Sequence, residues 1–206
     1  MPLNIKRIER ELKQFEESKH DNVFIKVVEK TDTHYLLNAL IMCKDTDSPY
    51  FGGVFLFSIT LDSTFPFKPP TVYFETQTIG RIHPNLYRSP NGKVCLSMIN
   101  TFGEGWSPIL SVEKILLSIE GILTANAMRN EPGQEKGNDL RFDNCARYMS
   151  LLTLKSNNTF KTEIENFYNK HKDEYQKSLD KLREETYSTF FGDTIKVTKL
   201  ELPTEL

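Results

Sequence analysis

Cys95 is the residue of this sequence best suited to act as a nucleophile. It lies in the segment KVCLSMI, directly after the turn-forming tetrapeptide SPNG at residues 89–92. The thiolate form of cysteine is the attacking species in covalent catalysis. An unpaired cysteine between Val94 and Leu96, however, is more often a small buried apolar residue. The local sequence therefore leaves two interpretations of Cys95 open, a nucleophile and a core residue.

The other two cysteines, Cys43 and Cys145, are predicted to be structural. Cys43 alternates with apolar positions of a predicted strand, and Cys145 falls on a predicted helix. The three cysteines and four histidines show no CxxC pair and no spacing typical of a zinc site. The sequence therefore predicts no disulfide framework, no metal site and no cofactor.

The tripeptide His83-Pro84-Asn85 precedes Cys95 and has two interpretations of its own. A cysteine hydrolase needs a histidine base and a third group that orients it, and His83 with Asn85 supplies both residue types. Alternatively, Pro84 fixes a turn and the Asn85 side chain hydrogen-bonds nearby backbone. By itself the tripeptide does not decide between them.

The chain that must position these residues begins with an amphipathic helix. Apolar residues recur at steps of three and four, which places them on one face: Ile5, Ile8, Leu12 and Phe15. Asn4 is a candidate for the N-cap of this helix. Basic side chains occupy the other faces: Lys6, Arg7, Arg10 and Lys13.

Four strands are predicted after this helix, at residues 23–28, 35–43, 53–61 and 71–74. In the second strand, alternate residues share one face: Tyr35, Leu37, Ala39, Ile41 and Cys43. The fourth strand follows the segment PFKPP at 66–70, whose prolines lack the N–H groups that a ladder requires. Short links between sequential strands favour an antiparallel meander.

The rest of the chain is predicted to be an irregular segment followed by helices. Residues 76–108 show little periodicity, and a stretch of this length in a compact domain is usually either functional or disordered. Its apolar and aromatic content argues against disorder. Ser111 is a candidate N-cap for a helix with a broad apolar face, and further helices are predicted at 143–154 and 159–185. The tail from Gly192 is left unassigned. This order of elements predicts an α+β fold.

The composition of the whole chain is that of an ordinary globular domain. The chain has 206 residues, of which 38% are hydrophobic and 26% charged, with a net charge of −2. This length suits one domain with an appendage, and the near-neutral charge gives little support to a nucleic-acid partner. A charged start and the lack of any run of 18 apolar residues predict no membrane association and a soluble, intracellular protein in a reducing compartment.

Five segments occur in a fixed order along the chain: SPYFGGVF at 48–55, FPFKPP at 65–70, HPN at 83–85, GKVCL at 92–96 and WSP at 106–108. Each is common alone, but the ordered set strongly resembles the ubiquitin-conjugating enzymes. The resemblance covers residues 3–150 and implies the UBC fold of that family, with a core domain at 1–150 and a helical extension at 151–206. The stretch NEPGQE at 130–135 and the helical tail look most like the large subgroup that includes ubiquitin-conjugating enzyme Z.

The resemblance implies an acyltransferase whose nucleophile is Cys95. Such an enzyme accepts ubiquitin or a ubiquitin-like protein from an activating enzyme as a thioester, then passes it to a lysine amine or a ligase cysteine. The family assigns Asn85 to stabilising the oxyanion or to holding the active-site loop, to which His83, Pro84 and Trp106 also belong. The alternative is a non-catalytic ubiquitin-binding variant of the fold, and the presence of Cys95 argues against it.

Two departures from the family pattern concern the site. The HPN motif and Cys95 are two residues further apart than is usual in the family, with Ser89-Pro90 as the apparent insertion, and we expect a bulged loop. Many members also place an acidic residue after the following helix to orient or deprotonate lysine. Here Glu131 is the nearest carboxylate and Asn130 occupies the matching position, although both residues also suit a solvated loop.

The resemblance also implies partners and a location. An activating enzyme is expected to contact the basic residues of the first helix, Lys6, Arg7, Arg10 and Lys13, which are equally compatible with a solvated face. Ligases of the RING type are expected to contact Phe67, Ser107 and Pro108, whereas HECT-type ligases accept the modifier on their own cysteine. Phe67 is alternatively an anchor of the PFKPP turn. Protein substrates and a cytoplasmic or nuclear location, or both, complete these expectations.

Overall fold

The computed structural model describes residues 3–88, 90, 92–99, 105–134, 139–156 and 159–206. The elements over these ranges confirm the predicted α+β class, with a helix, a four-stranded sheet, an irregular segment and C-terminal helices. In chain order they are α1 (Leu3–Ser18), β1 (Val23–Lys30), β2 (Tyr35–Met42), β3 (Val54–Leu61), β4 (Thr71–Phe74), α2 (Val112–Ile122), α3 (Leu140–Leu152), α4 (Lys161–Lys170), α5 (Lys172–Asp180), β5 (Thr186–Ser188) and β6 (Thr194–Lys196).

The sheet is an antiparallel meander of order β1-β2-β3-β4, as the short links predict. Within β2, Tyr35 pairs with Lys30 of β1 on one side and with Leu61 of β3 on the other. Alternate residues of β2 face the main core, where they pack with buried residues of α1, α2 and α3. The period of two in the sequence thus identified this face correctly.

The helix caps agree with the sequence at α2 but not at α1. The Ser111 side chain accepts a hydrogen bond from the Lys114 backbone N–H at 3.2 Å and caps α2 as predicted. The prediction for Asn4 is wrong, because α1 begins at Leu3 and Asn4 lies inside the helix. Asn4 is buried and its Nδ2 instead donates to the carbonyl of Asp62 at 3.5 Å.

The C-terminal helices cover the second face of the sheet. Leu40 and Met42 of β2 are buried on that face, within a cluster that includes side chains of α4 and α5. A surface helix placed there can bury an aromatic stripe of its own against the sheet. The second face of β2 is therefore buried at Leu40 and Met42, whereas Leu36 and Asn38 on the same face are only half-buried.

The prediction of one continuous helix over residues 159–185 is wrong, because α4 and α5 are separated at His171. In an uninterrupted helix, eight residues would rotate Tyr175 by about 80° away from Phe167. The break lets both rings contact Phe51, with centroids 6.3 Å away for Phe167 and 5.2 Å away for Tyr175. The Tyr175 hydroxyl also donates to the Gly52 carbonyl at 2.7 Å. Tertiary packing thus overrides the local helical period.

A short hairpin of β5 and β6 ends the ordered elements, and its second strand lies in the tail from Gly192 that was left unassigned. Tyr187 pairs with Ile195 across the hairpin, and both side chains are buried in the main core together with Val197. The hairpin is therefore part of the core packing.

None of the helices within the described ranges is long and apolar enough to cross a bilayer.

Candidate active site

Two hydrogen bonds hold the imidazole of His83, in the HPN motif, in one tautomeric state. His83 Nε2 lies 2.9 Å from the Ile122 carbonyl, which can only accept, so Nε2 carries the proton. His83 Nδ1 then accepts from the Asn85 backbone N–H at 2.9 Å. Burial lowers the pKa of this imidazole to about 4, which keeps it neutral at physiological pH. His83 is therefore fully committed and is not available as the base of a hydrolase.

Asn85 is joined to Cys95 by two hydrogen bonds. Its Nδ2 donates to the Cys95 carbonyl at 2.7 Å, and its own carbonyl accepts from the Cys95 N–H at 2.8 Å. Its Oδ1 is buried and accepts no hydrogen bond within the described part of the chain. Nδ2 carries a second hydrogen besides the one that it donates to Cys95. This arrangement serves the loop-holding role directly and leaves one N–H for an oxyanion.

The two ends of the segment between Asn85 and Cys95 pair with each other. Leu86 forms a bridge with Val94, and the Tyr87 N–H donates to the Lys93 carbonyl at 3.0 Å. These contacts keep Asn85 and Cys95 adjacent whatever the length of the tip. The tip is where the two-residue insertion was predicted, although Ser89 and Asn91 themselves lie outside the described residues.

Gly92 sits where a side chain would collide with the sheet. A Cβ atom at Gly92 would lie 2.1 Å from the Phe74 carbonyl oxygen, and the Phe74 N–H donates to the Gly92 carbonyl at 2.5 Å. Only glycine permits this close backbone approach. The turn tetrapeptide therefore anchors the active-site segment to β4.

Burial and the groups around Cys95 shift the pKa of its thiol in opposite directions. The residue is 4% exposed, and burial raises the pKa of its thiol above the ordinary value. Lys93, a hydrogen bond from the Tyr87 hydroxyl and the Arg81 charge act in the other direction, whereas the Glu131 charge raises the pKa further. By contrast, burial raises the pKa of Cys43 to about 11 and that of Cys145 to about 12.

Glu131 and Asn130 follow α2 as the sequence predicted, but their surroundings differ. Glu131 is half-buried and close enough for its charge to act on the Cys95 thiol, whereas Asn130 is exposed at the end of a short 3-10 helix. The preceding turn is fixed by Asp143, whose carboxylate accepts from the Asn126 N–H at 3.3 Å. Of the NEPGQE stretch, Glu135 lies outside the described residues.

The residues predicted to contact ligases lie on two adjoining loops. Trp106 Nε1 donates to the Pro66 carbonyl at 2.7 Å, and the Trp106 ring packs against Phe65. This contact brings Phe67, which is 80% exposed, to the same side of the molecule as Ser107 and Pro108. Phe67 is thus not a core anchor. Its neighbour Phe65 takes that position instead, and is fully buried.

The basic residues of α1 divide into two kinds. Lys6, Arg10 and Lys13 are exposed, as a docking face requires. Arg7 is half-buried, forms an ion pair with Glu11 and donates to the Leu110 carbonyl at 3.4 Å. Glu11 in turn accepts from the N–H of Val112 at 2.9 Å. Arg7 therefore helps to join α1 to the start of α2.

Sequence analysis missed three residues that surround the thiol segment: Arg81, Tyr87 and Asp193. Arg81 and Tyr87 lie within the irregular segment, where no period or motif marks them. Asp193 lies 112 residues beyond Arg81, yet its carboxylate accepts from the Arg81 backbone N–H at 2.7 Å. Within the described residues, no cluster of three or more acidic, histidine or cysteine side chains could hold a metal ion.

Known proteins resemble this chain over the residues that form this site. Residues 7–156 match the model of the family described as "Ubiquitin-conjugating enzyme". A protein named "Ubiquitin-conjugating enzyme E2 Z" from Homo sapiens is 33% identical over 159 residues, which are 73% of this chain and 43% of that protein. The protein of the same name from Danio rerio is 39% identical over 112 residues, covering 51% of this chain and 34% of that protein. The chain thus spans less than half the length of these curated relatives.

Proposed function

The chain belongs to the ubiquitin-conjugating enzyme family, and on that premise we propose that it carries ubiquitin or a ubiquitin-like protein as a thioester on Cys95. The modifier is received from an activating enzyme and is passed to a lysine amine of a protein substrate or to a ligase cysteine. The observation that carries the proposal is the pair of hydrogen bonds that fixes Cys95 beside Asn85. Activating-enzyme contacts through α1 and a cytoplasmic or nuclear location, or both, belong to the same proposal.

The first transfer exchanges one thioester for another. The Cys95 thiolate attacks the carbonyl carbon of the activating-enzyme thioester, a new C–S bond forms, and the activating-enzyme thiolate leaves. The step is nearly balanced in free energy, because equivalent bonds form and break. Burial raises the pKa of the Cys95 thiol above its ordinary value, and the charges of Lys93 and Arg81 offset only part of this rise. A thiol that is not strongly acidic suits a carrier, because a very acidic thiol would give a labile thioester.

The second transfer needs a neutral amine. A free lysine is neutral only about once in 2,500 at pH 7, a deficit of about 4.6 kcal/mol. In the proposed step the amine nitrogen attacks the thioester carbonyl and the C–S bond breaks. Cys95 leaves as a thiolate, and the amine proton passes to Glu131. The second hydrogen of Asn85 Nδ2 is available to the developing oxyanion.

A charging assay tests this function. The protein is mixed with ATP, an activating enzyme and ubiquitin, and the assay is repeated with several ubiquitin-like proteins and their activating enzymes. We expect the wild type to form an adduct that thiol reductants remove. Cys95→Ser should form either no adduct or an ester that resists these reductants. Cys43→Ser is the matched control and should charge like the wild type, because the Cys43 thiol is buried and is not among the groups that shift the pKa of the Cys95 thiol. Failure to charge with every modifier would instead identify a non-catalytic ubiquitin-binding variant.

The exposed Phe67 is the proposed anchor for RING-type ligases. A large apolar side chain that is 80% exposed and framed by prolines is typical of a small interaction hot spot. Ser107 and Pro108 lie on the adjoining loop, joined through the contact of Trp106 with Pro66. Phe67→Ala should abolish ligase-stimulated discharge while leaving charging at the wild-type rate.

A further inference from the structure

The β5–β6 hairpin touches the active-site segment through its turn. The turn is closed by the Thr189 N–H, which donates to the Asp193 carbonyl at 2.7 Å, and by Gly192 at φ +84°. Its strands are anchored in the core by Tyr187 and Ile195. The turn residues Phe191 and Asp193 are therefore presented from a fixed base, although they come from the last part of the chain.

Asp193 holds both ends of the segment that contains the HPN motif. One carboxylate oxygen accepts from the Arg81 backbone N–H at 2.7 Å, and the other lies 3.4 Å from Arg88 Nη1. The Asp193 side chain is 20% exposed, so the Arg81 contact is largely shielded from solvent. A single carboxylate thus clamps residues 81–88 at their two ends.

Phe191 holds the Arg81 side chain from the same turn. The Arg81 guanidinium lies over the Phe191 ring at 4.1 Å and over the Tyr87 ring at 3.9 Å, both within the range of a cation–π contact. Its Nη2 donates to the Pro84 carbonyl, within the HPN motif. Phe191 is braced in turn by an edge contact with Phe142 of α3, at 5.9 Å between centroids.

These contacts reach the residues next to the thiol. The Tyr87 N–H donates to the carbonyl of Lys93, two residues before Cys95, at 3.0 Å. The Tyr87 hydroxyl and the Arg81 charge both act to lower the pKa of the Cys95 thiol, against the effect of burial. We propose that the β5–β6 hairpin is a positioning element for the thioester site, with Phe191 and Asp193 holding Arg81 and Tyr87 in place beside Cys95. This inference rests on the proposed function, because it assigns to the hairpin a role in that same site. Phe191 and Asp193 act through other residues and do not touch the reacting atoms.

The test separates the cation–π contact from simple packing. Phe191→Leu keeps an apolar side chain near Phe142 but removes the ring from Arg81, whereas Phe191→Tyr keeps the ring. Asp193→Asn removes the charge of the clamp. Phe190→Ala is the matched control, since it removes the same kind of side chain one residue earlier, where the ring is 57% exposed. The Phe190 ring packs edge-on against Phe191, at 5.5 Å between centroids, so this variant removes a neighbour of Phe191 but keeps the Phe191 ring over Arg81.

The measured quantity is the rate at which iodoacetamide alkylates Cys95 in the full chain. The rate is determined from the mass of the peptide that contains Cys95, at pH values from 6.5 to 10. The groups that face the thiol are Lys93, Tyr87, Arg81 and Glu131, and none of them is substituted in these variants. In Phe191→Leu and Asp193→Asn we expect the midpoint of the profile to move up by about half a pH unit, which makes alkylation about threefold slower at pH 7.5. Phe191→Tyr and Phe190→Ala should keep the wild-type profile.

Two results would overturn the positioning role. One is a wild-type profile in both Phe191→Leu and Asp193→Asn, including the case in which their melting temperatures fall, which would assign the hairpin to stability alone. The other is an equal shift in Phe190→Ala. Alkylation requires neither ubiquitin nor an activating enzyme, so it gives a result even where the charging assay fails. The two proposals can therefore fail separately.

Discussion

The three thiols of this protein differ in their neighbours more than in their burial. Cys95 is 4% exposed, close to the 2% of Cys43 and the 0% of Cys145. Only the pKa of Cys95 is lowered in part by two cations, Lys93 and Arg81, together with the Tyr87 hydroxyl. The charged and polar groups around Cys95, and not its exposure, therefore distinguish it from the other two thiols.

Asn85 offers a direct test of its two assigned roles. Asn85→Ala removes the Nδ2 donor, and we expect lysine discharge of the preformed thioester to slow by about 10²-fold, the usual cost of losing an oxyanion donor. The measurement is single-turnover transfer to free lysine, with thermal unfolding followed on the same samples. A lower melting temperature with wild-type discharge would assign Asn85 to holding the loop alone.

Glu131→Gln is expected to change two rates in opposite directions. The Glu131 charge raises the pKa of the Cys95 thiol, so removing it should make alkylation of Cys95 faster near pH 7.5. Lysine discharge should slow at least about tenfold, because the proton acceptor is lost. Asn130→Ala serves as the comparison in both assays. The same slow discharge in Asn130→Ala, with none in Glu131→Gln, would transfer the role to Asn130.

At the level of secondary structure, α2 supports the site through the carbonyl of Ile122. That carbonyl accepts from His83 and fixes the HPN motif, so the end of one helix sets the conformation of the active-site segment. The irregular segment has little repetitive hydrogen bonding of its own and depends on such contacts from neighbouring elements.

The buried His83 predicts a pH dependence of stability. Its pKa is about 4 in the folded chain, below the ordinary value of 6.5, so the unfolded chain binds the extra proton between these values. Stability should therefore fall as the pH drops from about 6.5 to 4, by at most about 3 kcal/mol from this group. Urea unfolding of His83→Gln should show a flatter pH dependence than the wild type. A slope in His83→Gln equal to that of the wild type would contradict the prediction.

The contact between α5 and the segment before β3 also makes a prediction. The buried Tyr175 hydroxyl donates to the Gly52 carbonyl, and Tyr175→Phe removes this bond while keeping the ring. We expect a loss of about 1–2 kcal/mol in the free energy of unfolding, measured with urea. Tyr73→Phe, at an exposed position of β4, is the control. A loss in Tyr175→Phe no larger than in the control would show that the bond does not stabilise the fold.

For the molecule as a whole, the C-terminal segment completes the core. The family match ends at residue 156, whereas α4 and α5 cover the sheet face that carries Leu40 and Met42. A chain cut after 156 would expose that face, and fully burying each large apolar side chain contributes about 1.5–3 kcal/mol. We expect the cut chain to be markedly less stable and to self-associate, as measured by thermal unfolding and size-exclusion chromatography. A monomeric cut chain with wild-type stability would show that residues 1–156 form an independent domain.

Features that depend on local patterns could be predicted from the amino-acid sequence. The alternation of β2, the apolar face of α2 with its Ser111 cap and the short strand links each follow from neighbours a few residues apart. The ordered motifs likewise identified the family, and they make Cys95 the predicted nucleophile among the three cysteines. Tertiary structure decided everything that joins distant parts of the chain. The break at His171, the commitment of His83 to the Ile122 carbonyl and the contact of Asp193 with Arg81 all depend on packing between elements far apart in sequence, which no local period encodes.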